Sequence, residues 1–248
     1  MHGHPRRPQV ANGREKDSMS NSVSLSQKLS AEVLGTFIFV FVGAGSAVAS
    51  RYIGITDPGS ALLVAALANG IGLGVGISAT MAVSGGALNP AVVIGLWVGG
   101  KLPSREVVPY IVAEIVGAAI AGGLLVAVAP RAIGNAVHWG APGLSSATSV
   151  AQGLLFELIM TFFLVLAVYG TAVDARAPKI AGFGIGLLVL ADVLVGGPFT
   201  GAAMNPARAM GPMIAGLYFP SYWYIYWIGP VLGGILAGLV YHRVLEER

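Results

Sequence analysis

Two decapeptides carry the side chains best placed for chemistry: residues 84–93 read SGGALNPAVV and residues 200–209 read TGAAMNPARA. Ser84, Gly85, Asn89, Pro90 and Ala91 match Thr200, Gly201, Asn205, Pro206 and Ala207 position by position. An Asn-Pro pair heading an apolar run fits a helix start, because Asn caps free N–H groups and Pro at the first helical position has none to satisfy. Each Asn could do no more than that. With its NH2 turned away from the helix, however, it offers a donor to whatever fills a cavity, and a related pair offers two.

A second repeat carries carboxylates. Residues 31–41 (AEVLGTFIFVF) and 156–166 (FELIMTFFLVL) align Glu32 and Thr36 with Glu157 and Thr161. Carboxylates in such apolar surroundings either relay protons, as in a coupled transporter, or accept hydrogen bonds from nearby backbone N–H groups and hold a loop in shape. Their symmetry favours the second role. Glu114 and Asp192 are further acids in apolar runs, and Arg208 directly follows the second Asn-Pro-Ala. As an isolated residue Arg208 would read as a charge snorkelling at a span end.

Several chemistries are excluded. There is no cysteine, hence no disulfide and no thiolate metal site. Two of the four histidines are His2 and His4, and no His/Asp/Glu cluster has ligand spacing. No nucleophile motif or phosphate-binding glycine loop is present, so neither an enzyme nor a metal or other cofactor is expected.

The elements that must position these residues follow from composition. The chain has 248 residues, of which 55% are hydrophobic and only 10% charged, too few charges to cover a soluble domain. Nearly charge-free runs at 33–50, 60–98, 107–129, 150–173, 180–204 and 222–241 are candidates to cross a bilayer as helices. The glycine run GIGLGVG (70–76) suits close helix approach inside a span. Residues 1–28 are polar and aperiodic and read as a disordered tail; Met19 is a second candidate start, which would make residues 1–18 added sequence. His138, Trp139, Tyr222, Trp223, Tyr224, Tyr226 and Trp227 read as an interfacial aromatic belt.

Each half then holds a Glu-x-x-x-Thr span, a second span, an Asn-Pro-Ala and a third span. Three is odd, so the halves enter the membrane upside down relative to each other. The expected organisation is a tail (1–28), a first repeat (29–129), an outer connecting loop (130–149) and an inverted second repeat with a short C-terminal tail (150–248). From Asn89 to Gly99 a helix would be about 16 Å long, half the hydrocarbon thickness. Such a segment must re-enter, with its free backbone lining a polar cavity. The fold class is therefore all-α: six transmembrane helices plus two re-entrant half-helices meeting at the midplane. With both termini inside, the cytoplasmic side collects 11 of the 14 Lys and Arg, which sets the orientation in the cell membrane. The net charge of +3 then calls for no nucleic acid, since basic residues beside the spans favour the lipid surface of the cytoplasmic leaflet.

Both NPA motifs, the paired Glu-x-x-x-Thr helices, Arg208 and the stretch GPFTGAAMNPARAMGP make the chain resemble an aquaporin of the major intrinsic protein family over residues 29–245. Archaeal and plant-vacuolar members look most alike. The resemblance implies a homotetramer with one pore per subunit, passing water and excluding protons and ions. It implies a filter at Asn69, Val193, Ala202 and Arg208. Strict water channels of the family tend to have an aromatic residue and a His at the first two positions, and many have His where Ala87 stands. This filter is expected to be wider and to admit small neutral solutes such as glycerol or dissolved gases and hydrides as alternative cargo. Against the glycerol branch stand Ala209, where Asp is typical, and Tyr226-Trp227 in place of Pro-Leu. Glu114 occupies a position usually held by Gln; it could be protonated, paired or at a subunit contact. Asp192 adjoins Val193 and could tune the filter or hold backbone.

Overall fold

The computed structural model describes residues 23–178 and 180–246, so most of the N-terminal tail lies outside the described residues. Six helices among them are long and apolar enough to cross a membrane. They are α1 (Leu25–Tyr52), α2 (Pro58–Ser84), α4 (Ser104–Val128), α6 (Val150–Val168, continued by a π turn to Val173), α7 (Ala181–Thr200) and α9 (Ile225–Val240, continued by a π turn to Leu245). Two short apolar helices, α3 (Pro90–Val98) and α8 (Pro206–Gly216), complete the halves, and α5 (Arg131–Ala136) lies in the connection between them.

The first helix starts earlier than its hydropathy suggests. Ser24 and Gln27 form a capping box, with Ser24 Oγ accepting the Gln27 N–H and the Gln27 side chain accepting the Ser24 N–H. Helix α1 therefore begins at Leu25, inside the segment read as tail. Ser149 and Gln152 do the same for α6. The sequence offset between these boxes is the offset between Glu32 and Glu157, so the repeat extends to the caps.

The two halves interlock. Helix α1 packs on α2 and α4, and α6 packs likewise on α7 and α9. The half-helices cross over: α3 packs against α9 of the other half and α8 against α4. At the centre α2 meets α7 with backbones nearly touching, where a Cβ on Gly70 would lie 2.6 Å from the Gly186 carbonyl and one on Gly74 2.8 Å from that of Gly182. Small residues permit that approach, which packing in lipid rewards.

Polarity is distributed inside out. Large apolar side chains such as Ile71, Val108 and Phe183 are exposed, while Glu32, Glu114, Glu157, Asn69, Asn89, Asn205 and Arg208 are buried. Water would penalise such a surface, whereas lipid accepts it and confines polar groups to the interior. Two aromatic expectations fail here. Tyr226 and Trp139, read as belt residues, are buried: Tyr226 Oη donates to the buried Thr200 carbonyl, and the Trp139 ring packs on Gly134 and Gly216 while its Nε1 donates outward to Asn135 Oδ1.

Candidate functional site

Each re-entrant segment turns on left-handed backbone. Gly85 (φ 92°) and Gly201 (φ 77°) end α2 and α7, and the residues just before the two asparagines, Leu88 (φ 50°) and Met204 (φ 51°), are also left-handed although neither is glycine. Such positions cost about 1–3 kcal/mol each and persist only where their surroundings hold them. The surroundings are visible. Ser84 Oγ accepts the Gly86 N–H at 3.1 Å, and Thr200 Oγ1 the Ala202 N–H at 3.0 Å. Glu32 accepts the Ala87 and Leu88 N–H groups at 3.1 and 2.7 Å. Glu157 accepts those of Ala203 and Met204 at 3.0 and 2.6 Å, and the Thr200 hydroxyl at 2.7 Å.

A pair of tyrosines finishes the scaffold. Tyr110 on α4 donates to the Ser84 carbonyl at 2.9 Å, and Tyr226 on α9 donates to the Thr200 carbonyl at 2.9 Å. They are separated by the same number of residues as Asn89 and Asn205. That common spacing was the signal available in the sequence.

Asn89 and Asn205 occupy the N-caps of α3 and α8, with Pro90 and Pro206 at the first helical position and Ala91 and Ala207 buried behind them. Asn89 Oδ1 accepts the Ala91 N–H at 2.9 Å, and Asn205 Oδ1 the Arg208 N–H at 3.1 Å. The amide nitrogens reach across to the opposite loop: Asn89 Nδ2 donates to the Met204 carbonyl at 2.9 Å and Asn205 Nδ2 to the Leu88 carbonyl at 2.7 Å. One N–H of each amide thus fixes the opposite loop, and the other is left for the cavity that both side chains line. Four carbonyls of the two loops, at 84, 88, 200 and 204, are consumed within the protein. Among the described residues, those of 85–87 and 201–203 accept nothing from the protein.

The central cavity measures about 10 Å³, close to the volume swept by a single water-sized probe. Its other wall is apolar, with Phe39, Leu73, Leu164 and Val189. On the side away from the chain termini it leads toward a funnel of about 660 Å³. Asn69 lines both spaces, Val193 and Arg208 line the funnel, and Ala202 lines the centre. Arg208 is buried, not snorkelling. Its Nη1 donates to the Gly140 carbonyl at 2.9 Å and its Nε to Asn69 Oδ1 at 3.4 Å. Asn69 Nδ2 is tied back to the Ala65 carbonyl at 2.8 Å, and any Cβ at Gly43 would collide with its Oδ1. Gly140 follows two non-glycine residues that are also left-handed, His138 and Trp139, and the His138 ring stacks on Tyr218.

The remaining acids lie behind this surface. Glu114 Oε1 accepts the Asn89 N–H at 2.8 Å. Asp192 lines neither space and its Oδ2 is buried without a partner. At the end bearing the termini, Asp174 accepts hydrogen bonds from Arg176 and Tyr241, which hold its carboxyl far below the usual carboxylate range. Lys101, with help from His242, likewise lowers Glu246, and Arg176 Nη2 donates to the Leu245 carbonyl, so the 174–178 turn is fastened to the C-terminal segment. Among the described residues no group of His, Asp and Glu could hold a metal ion.

A family profile described as major intrinsic protein matches residues 19–241. The chain belongs to the major intrinsic protein family. Similar members include "Probable aquaporin TIP3-2" of Arabidopsis thaliana, 42% identical over 87% of this chain and 82% of that protein, and "Aquaporin TIP2-2" of Zea mays, 41% identical over 91% of this chain and 90% of that protein. Among solved structures, the aquaglyceroporin from Plasmodium falciparum superposes with a TM-score of 0.82 at 23% identity, covering 90% of this chain and 97% of that one. That likeness shows the major intrinsic protein fold, and the protein is a multi-pass membrane protein of that family.

Proposed function

We propose that the protein is a passive water channel that excludes protons and ions. The observation that carries this reading is the one-water cavity flanked by the caps of two facing half-helices, with a spare amide N–H from each Asn. Each helix N-terminus is equivalent to about half a positive charge, so the centre repels cations. A water whose oxygen accepts from both Asn89 and Asn205 must point its hydrogens outward, which breaks the chain along which a proton would hop. The free carbonyls of 85–87 and 201–203 supply acceptors on either side. Glu32 and Glu157 act as loop supports, with their oxygens occupied by backbone N–H groups instead of being free to relay protons. That argues against a proton-coupled carrier.

Asn69, Val193, Ala202 and Arg208 form the filter in this reading. None brings a ring to the constriction, and this favours small neutral solutes such as glycerol as additional cargo. The native assembly is a homotetramer in the cell membrane, with both termini in the cytoplasm and the funnel opening outward. Osmotic shrinkage of proteoliposomes at several temperatures and gradients tests the channel reading. A channel gives a weak temperature dependence and flux proportional to the gradient; saturation, or flux that follows an imposed pH gradient, would indicate a carrier.

A further inference from the structure

Glu114 stands apart from the supports described above. It lies on α4, fully buried, with Oε1 accepting the Asn89 N–H and Oε2 lacking any donor. Glu32 on α1 accepts the N–H groups of Ala87 and Leu88, the two residues just before Asn89, so the two carboxyls converge on consecutive N–H groups of one loop and both Glu32 oxygens are already engaged. Two carboxyls in contact cannot both be ionised in an apolar interior without a cation between them. Among the described residues no cation stands between them. Of the charged groups on elements packed against α4, Lys28 pairs with Glu106 at 3.0 Å, Arg208 on α8 is turned to Gly140 and Asn69, and Arg51 on α1 and Arg131 on α5 are exposed at the far ends of their helices. Tyr110, the other titratable neighbour, gives its proton to the Ser84 carbonyl.

We infer that Glu114 is a proton-binding site: it is held as a neutral carboxylic acid whose Oε2–H donates to Glu32 while its Oε1 accepts from Asn89. This single proton satisfies the orphan oxygen and removes the repulsion. Ionised Glu32 keeps its two loop N–H bonds, and no second negative charge stands behind the N-terminus of α3, where it would offset the positive end of the half-helix. At the equivalent position of the second half, the Tyr110–Tyr226 spacing carries Glu114 onto Pro230, which has neither donor nor acceptor in its side chain. The inference concerns the scaffold behind the pore and holds whatever solute the pore carries.

Infrared spectroscopy tests it on the full-length protein in an ester-free detergent at neutral pH. A protonated carboxylic acid shows a carbonyl stretch above the amide I band. The expected spectrum has such a band, which moves when glutamate is 13C-labelled and loses a component in Glu114→Gln. Aspartate labelling separates any contribution from Asp192. If the wild type shows no glutamate-dependent band, the proton is absent and the inference fails, whether or not the variant can be purified. A glutamate band that survives undiminished in folded Glu114→Gln overturns it equally.

Discussion

Replacing Glu157 by Gln removes one charged oxygen from a loop that depends on it. Glu157 accepts from the Thr200 hydroxyl at 2.7 Å, Ala203 N–H at 3.0 Å and Met204 N–H at 2.6 Å. A carboxamide keeps one oxygen, so the Met204 N–H then faces an NH2 group, and a buried unpaired donor costs about 1–3 kcal/mol. The other two bonds lose charge assistance, about 1 kcal/mol each, for a total of about 3–5 kcal/mol. Against that stand the left-handed conformations of Ala202 and Met204, which store roughly 2–6 kcal/mol together. The two magnitudes are comparable, so the loop loses its shape in much of the population. Since about 1.4 kcal/mol is tenfold in an equilibrium, water permeability per channel should fall at least tenfold. The assay is stopped-flow shrinkage of proteoliposomes matched for inserted protein. Permeability within twofold of wild type would refute the claim that Glu157 holds the loop.

Three further outcomes are expected. The chain has no cysteine, so mercurials should leave its water flux unchanged, whereas Ala202→Cys, lining the centre, should become sensitive; an inert thiol there would show that Ala202 does not face the path. Val193→His should narrow the funnel base, cutting glycerol flux at least tenfold with water flux within a few-fold; equal loss of both would mean a collapsed pore, not a tighter filter. Asp174 has its carboxyl depressed by Arg176 and Tyr241, so its contribution is present above the ordinary carboxylate pKa and is lost only as pH falls through the much lower folded value. Limited proteolysis near residue 177 should therefore stay slow into mild acid and become fast at neutral pH in Asp174→Asn; equal rates in variant and wild type would sever the turn from the C-terminal segment.

The span count, the inversion and the half-helices were legible because hydropathy and a long motif repeat both report on them. Asn89 and Asn205 were readable as caps from their Asn-Pro pairs. Their second role, donating to Met204 and Leu88 of the opposite loop, joins residues more than a hundred positions apart and leaves no local pattern. The same holds for the Gly140 carbonyl that receives Arg208. Tyr226 was misread for a different reason. It sits in an aromatic cluster that resembles a lipid-interface belt, and only its spacing from Tyr110, equal to that between the two asparagines, separates it from its neighbours. The early start of α1 did have a local signal, the Ser24-x-x-Gln27 spacing of a capping box, which a reading by hydropathy alone passes over.

The central claim is that one arrangement of facing Asn caps passes water and stops protons. It is tested most directly by recording water flux and internal pH together in the same proteoliposomes, with a light-scattering signal and an entrapped proton-sensitive dye. The account predicts water permeability well above that of protein-free vesicles, with a proton leak no greater than theirs under an imposed pH gradient. A proton leak that rises with the amount of protein inserted, or water permeability equal to bare lipid, would contradict it.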